Sequence, residues 1–260
     1  MNALAARRRH PAAIAILLLL GLVVVGGAYS LFAPKTAVAA GVTTDVVADG
    51  RALFLANCAT CHGLNAQGTA AGPTLVGVGA ASVNFQVGTG RMPLAGPAVQ
   101  AQRGDVKFTD EQIAAMAAYV ATLGPGPGIP SDADLSTAGA DVATGGQLFR
   151  VNCAMCHNFA GSGGALSRGK YAPTLKGVEA RDVYEAMLTG PQSMPVFNDQ
   201  NISPDNKRNI IAFLDETYNK PNQGGMNLGN LGPVSEGMFI WIFGLGIMIA
   251  CAVWLGSKAA

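Results

Sequence analysis

The chain has 260 residues, of which 50% are hydrophobic and only 13% charged, with a formal net charge of +1. That balance excludes a basic nucleic-acid-binding surface, and the length fits one or two domains. With 5 cysteines and 3 histidines in the whole sequence, a zinc site or a catalytic histidine cluster has too few ligands to draw on.

In chain order, residues 1–13 read as a short cytoplasmic tail holding Arg7-Arg8-Arg9 and His10. Ile14 to Phe32 then runs without a charge. About 20 apolar residues suffice to cross a bilayer as a helix, which predicts a transmembrane helix over 14–33. Ala37-Val38-Ala39 looks like a small-residue cleavage site, so a removed signal peptide is the rival reading. The apolar run exceeds the roughly 7–15 residues of a signal core, which favours an uncleaved anchor. A small-residue connector over 33–44 follows.

The first folded unit is expected over 45–123. Leu53 and Phe54 give its opening segment one apolar helical face, which leads directly into Cys58-Ala59-Thr60-Cys61-His62. A Gly72-Pro73-Thr74-Leu75 loop comes next, then a short helix around Ser82–Val87. The clearest helix is Asp110–Thr122. Thr109 and Gln112 form a capping-box pair at its start, and Ile113, Met116, Ala117 and Val120 share one face. Gly124-Pro125 stops it.

Residues 124–137, rich in Pro and Gly, read as a linker partly stiffened by its prolines. A second unit is expected over 138–222, and it repeats the order of the first. Gly145-Gly146-Gln147-Leu148-Phe149 leads into Cys153-Ala154-Met155-Cys156-His157, and Ala172-Pro173-Thr174-Leu175 answers the earlier loop. A helix is predicted over Arg181–Leu188, ending at Gly190. The last begins at Ser203-Pro204, a cap followed by Pro at the first helical position, and runs to about Tyr218. A polar, Gly-rich run over 219–236 leads to a second charge-free stretch, predicted as a transmembrane helix over 237–256 and followed by Lys258. Basic residues stay on the cytoplasmic face, so both Cys-x-x-Cys-His motifs lie on the extracytoplasmic side of the cell membrane.

Each motif has the spacing that attaches a c-type haem: Cys58 and Cys61, then Cys153 and Cys156, as thioether donors, with His62 and His157 as iron ligands. A thioredoxin-like disulfide would need a βαβ pattern around the motif, and none is present. Two motifs predict two covalently bound haem c groups. Each unit is small enough that its folding would depend on the apolar surface of a haem. For the sixth iron position the candidates are Met92 in Gly-Arg-Met-Pro and Met194 in Gln-Ser-Met-Pro, since a following proline restricts the methionine to an extended or turn conformation. Met116 and Met187 fall on helix faces and read as core. Met155 sits between the cysteines of its own motif. Met/His ligation raises the potential and closes both iron positions, which argues against peroxide chemistry. Pro73 and Pro173 either orient the histidines through their carbonyls or simply make turns. Cys251 reads as an apolar filler in the second anchor, and neither apolar run holds a charge that would mark an ion pathway.

The order of these elements resembles the dihaem cytochrome c subunit of the actinobacterial cytochrome bcc complex, a menaquinol–cytochrome c reductase that joins an aa3-type oxidase. The resemblance covers nearly the whole chain, down to the Gly232-Pro233-Val234-Ser235-Glu236-Gly237 entry to the last anchor. It implies an all-α protein with two tandem class I cytochrome c domains between an N-terminal and a C-terminal transmembrane helix. It further implies cytochrome b, Rieske iron–sulfur and aa3 oxidase partners. By the same resemblance the Cys153–His157 unit would face the Rieske centre and the Cys58–His62 unit the oxidase copper. The subunit would be the electron-transfer part of a quinol–cytochrome c reductase, with no catalytic chemistry of its own. A free-standing membrane-anchored shuttle and a dihaem peroxidase are the other classes. The second anchor speaks against the shuttle, and the paired Met-Pro loops against the peroxidase.

Overall fold

The computed structural model describes residues 11–32, 44–96, 98–220, 228 and 232–258. The Arg7–Arg9 tail, the connector over 33–43 and most of the Gly-rich run over 219–236 lie outside the described residues. Helix α1, Pro11–Phe32, is apolar throughout and belongs to a unit of its own.

The first helical bundle begins with α2, Thr44–Asn57, whose buried face carries Gly50 and Phe54. Asn57 Nδ2 also donates to the Leu53 carbonyl, at 2.8 Å, folding the side chain back onto the last turn of the helix. A single-turn helix α3, Ala59–His62, ends at Gly63, whose φ of 83° suits glycine. Helix α4 spans Gly79–Gly88 and buries Ala81, Val83, Phe85 and Val87. Helix α5, Asp110–Ala121, starts at the expected capping box: Gln112 N–H donates to Thr109 Oγ1 at 3.4 Å, and Thr109 N–H donates to Gln112 Oε1 at 3.0 Å. Its buried face is Ile113, Met116, Ala117 and Val120, with Ala115 and Tyr119 alongside.

The Pro/Gly segment after α5 is not a free spacer. It lies against the first bundle, with Ala81 N–H donating to the Pro127 carbonyl at 3.1 Å. It then forms a short helix α6, Asp132–Leu135, with its own capping box between Ser131 and Asp134.

The second bundle repeats the plan. Helix α7, Val142–Asn152, is capped by Asp141, and a single-turn helix α8, Ala154–His157, follows. Here the all-α expectation needs a small correction. Strands β1 (Gly164–Ala165) and β2 (Tyr171–Ala172) form an antiparallel pair in the loop after the motif, with Gly164 opposite Ala172. Two-residue strands leave no periodicity in the sequence to read. Helix α9, Ala180–Thr189, ends at Gly190 in the left-handed region, and α10, Pro204–Asn219, is capped by Ser203.

In both bundles the first and last helices cross at a glycine. A Cβ on Gly50 would collide with the Ala115 carbonyl, and one on Gly145 with the Asn209 carbonyl. An aromatic pair locks each crossing: Phe54–Tyr119 and Phe149–Phe213, both with ring centres 5.4 Å apart. The bundles meet where α4 packs on α9.

The chain ends in helix α11 (Pro233–Ile240), a π-helical turn (Trp241–Leu245) and helix α12 (Gly246–Lys258). Among the described residues this continuous segment, Pro233–Lys258, is the one long and apolar enough to cross a membrane, and the N-terminal apolar stretch Ile14–Ala28 is shorter.

Candidate functional site

Helix α2 delivers Cys58 at its C-terminal end, and the single turn α3 brings Cys61 and His62 next to it. Backbone bonds hold that turn: Cys58 N–H donates to Phe54 O at 2.8 Å, and His62 N–H to Cys58 O at 2.9 Å. The second repeat has the same pattern at nearly the same distances, with Cys153 N–H to Phe149 O at 2.8 Å and His157 N–H to Cys153 O at 2.9 Å. Burial first, then the neighbouring Cys156, pushes the Cys153 thiol up to about 11. Burial also raises Cys58, with Cys61 adding to it.

The histidine geometry is the most informative part of the site. His62 Nδ1 lies 2.7 Å from the Pro73 carbonyl oxygen, and His157 Nδ1 lies 3.0 Å from the Pro173 carbonyl oxygen. A carbonyl oxygen only accepts, so each Nδ1 carries a proton and donates it, which leaves Nε2 as the nitrogen available to a metal. Both Pro-Thr-Leu loops therefore do more than turn the chain: their carbonyls fix a histidine tautomer suited to metal ligation. Burial lowers the His157 pKa, an effect that its bond to Pro173 opposes, so burial favours the neutral ring. Among the described residues no three His, Cys, Asp or Glu side chains gather into a site that could hold a metal ion by themselves. A single imidazole beside two thiols instead fits a macrocycle that brings its own equatorial ligands.

Met92 packs half-buried against the first core, as Cys58 and Leu75 also do; Met194 packs half-buried against the second, the core that contains Cys153. The competing methionines lie elsewhere. Met116 and Met187 are 2% exposed, inside the cores, and Met155 is 91% exposed. In each bundle the methionine of the Met-Pro loop and the first cysteine of the motif thus pack on the same hydrophobic cluster as the helix crossing.

Sequence reasoning missed the polar contact between the bundles. Asn84 Nδ2 on α4 donates to both carboxylate oxygens of Glu185 on α9, at 2.9 and 3.0 Å, and Arg103 lies 3.6 Å from Asp182. Gln100 exchanges bonds with the Tyr171 backbone, and Ala101 N–H donates to Gln192 Oε1. One signal was present: Glu185 stands between Tyr184 and Met187 on the buried side of α9.

Residues 47–124 match the family described as cytochrome c, and residues 140–214 match the one described as cytochrome C oxidase, cbb3-type, subunit III. Over 268 residues the chain is 44% identical to the cytochrome bc1 complex cytochrome c subunit of Corynebacterium efficiens, covering 96% of this chain and 90% of that protein. Against the protein of the same name from Mycobacterium tuberculosis the identity is 44% over 252 residues, covering 94% and 90%. A cytochrome c6 of Leptolyngbya boryana is 33% identical over 78 residues, 29% of this chain.

Proposed function

This chain belongs to the cytochrome c subunits of the cytochrome bc1 complex, and from that membership we propose that it relays electrons from a Rieske iron–sulfur centre to the copper centre of an aa3-type oxidase. It is an electron carrier of a membrane-associated respiratory oxidoreductase, built from two cytochrome c domains with covalently bound haem c. The observation that carries the finer reading is the duplication, in both bundles, of a Cys-x-x-Cys-His turn with its histidine Nδ1 on a proline carbonyl.

In this reading Cys58 and Cys61 hold one haem c and Cys153 and Cys156 a second, through thioether bonds. Each haem iron supplies a one-electron couple. His62 and His157 would supply Nε2 as iron ligands and Met92 and Met194 their thioethers, and histidine–methionine ligation would raise the potential. The second domain faces the Rieske subunit and the first faces the oxidase, with cytochrome b as the third partner. Pro233–Lys258, together with the segment 14–33, anchors the chain in the cell membrane as a multi-pass protein, with both domains on the extracytoplasmic side.

An independent tethered shuttle is the second reading. It would need one anchor only, and one described segment meets the length for crossing. A reduced-minus-oxidised visible spectrum of the tagged chain, purified from its native membrane in mild detergent, separates the two. Bands from b-type and a-type haems beside the c-type band are expected. A c-type band alone, in a detergent that preserves such complexes, would favour the shuttle.

A further inference from the structure

The loop that carries Met194 runs from Gly190, at the end of α9, to Ser203, the cap of α10. Backbone bonds fix its first half: Met194 N–H donates to Pro191 O at 3.0 Å, and Phe197 N–H to Met187 O at 2.7 Å. Its second half turns back at Asn198, whose carbonyl accepts from the N–H groups of Asn201 and Ile202, both at 3.0 Å. Against this turn lies Lys207 of α10, whose side chain is 0% exposed. Its Nζ donates to Asp199 Oδ1 at 2.7 Å and to the Ile202 carbonyl at 2.6 Å. The same Nζ stands 5.6 Å from the centre of the Tyr184 ring on α9.

A buried ammonium is costly unless its N–H groups find partners. Here a carboxylate, a carbonyl and an aromatic face supply them, and charge-assisted bonds are the stronger kind. Among the described residues the first domain has no buried lysine in the equivalent place. Ile113 stands at the same distance after the cap Thr109 as Lys207 does after Ser203, and it is 3% exposed and apolar. The Met92 loop is held by backbone instead, with Arg91 N–H and Met92 N–H both donating to Gln86 O at 2.9 Å.

We propose that Lys207 is a positioning residue for the Met194 loop: by gripping Asp199 and Ile202 together it fixes where Met194 stands in the second cytochrome domain. The proposal rests on Met194 being the sixth iron ligand. A thioether is a neutral ligand presented by a loop, so its occupancy depends on how far that loop is ordered beforehand and on the groups that hold it. The first domain, lacking the lysine, is the internal control.

The test uses the full-length holoprotein in detergent, with Lys207→Met, Asp199→Ala and Asp199→Asn. Lys207→Met keeps the unbranched stem and removes the buried charge, and the carboxylate left behind, that of Asp199, is 61% exposed to solvent. At that exposure Asp199→Asn keeps an oxygen acceptor with little change in packing, whereas Asp199→Ala takes the carboxylate from a buried ammonium and is read only after its unfolding midpoint shows a folded domain. The readouts are the midpoint potential of each haem and the near-infrared band of methionine-ligated ferric haem, with Met92→Leu assigning the first haem's share. The expected result for Lys207→Met is a lower second potential and loss of the second haem's share of the band, with the first haem unchanged. Asp199→Ala is expected to give a smaller shift, and Asp199→Asn, which keeps an acceptor, to restore the wild-type values. Unchanged potentials and band in both Lys207→Met and Asp199→Ala would overturn the proposal. A wild-type band with no second-haem share, unaltered by Met194→Leu, would instead overturn the ligand assignment beneath it.

Discussion

His157 is held by one bond, from Nδ1 to the Pro173 carbonyl, which places a proton on Nδ1, and burial favours the neutral ring, as the proposed role in iron ligation requires. The same logic of close placement sets the glycines at the helix crossings. At Gly145 the missing side chain lets α7 lie directly on the Asn209 carbonyl of α10. Gly145→Ala would push the two helices apart, and overpacking of this kind costs about 1–3 kcal/mol. The expected outcome is a lower denaturant midpoint for the holoprotein with an unchanged slope. A midpoint equal to wild type would mean the crossing yields without strain.

At the scale of elements, much was legible because its signals are local. The α5 capping box needs only Thr109 and Gln112, and the end of α9 needs only Gly190, so those boundaries could be read from neighbours in sequence. The Cys-x-x-Cys-His motifs are contiguous, which is why the sequence alone offers their thiols and histidines as candidates. Lys207 could not be read that way. It falls on the same face of α10 as Ile210, Ile211 and Leu214, and periodicity alone would reject a lysine there. The partners that make its burial tolerable, Asp199 and Tyr184, come from a loop and another helix. The packing of Pro127 onto Ala81 was hidden for the same reason: a Pro/Gly-rich segment reads as a spacer until its carbonyls find donors elsewhere. Both omissions are tertiary, and both lie beside the proposed ligand loops or between the domains.

At the scale of the whole molecule, the contact between the two cytochrome domains is centred on Glu185, which is fully buried with Asn84 as its neutral donor. Burial pushes its pKa up to about 7; the Asn84 bond opposes that, the Asp182 charge on its own helix adds to it and Arg181 opposes it. Arg103 and Arg91 of the first domain face Asp182 rather than relieve Glu185 directly. A carboxyl whose pKa is raised on folding binds its proton more tightly in the folded state. Below the ordinary value of 4.5 it is protonated whether folded or not, and stability is undiminished. Stability then falls as pH rises from there to about 7. Glu185→Gln resembles the protonated form and removes this loss. Its stability gain over wild type should be near zero at the acidic end of that window and greatest above it, read as the difference in unfolding midpoint of the holoprotein across pH. A gain that does not vary with pH would show that Glu185 does not titrate with folding.

The central claim is that each domain holds its own haem through its own Cys-x-x-Cys-His turn. The most direct test is the mass of the purified full-length chain under denaturing conditions, followed by the masses of the peptides containing Cys58–His62 and Cys153–His157. The account predicts two haem additions per chain, one on each peptide. A single addition, or free thiols on either peptide in the mature protein, would contradict it.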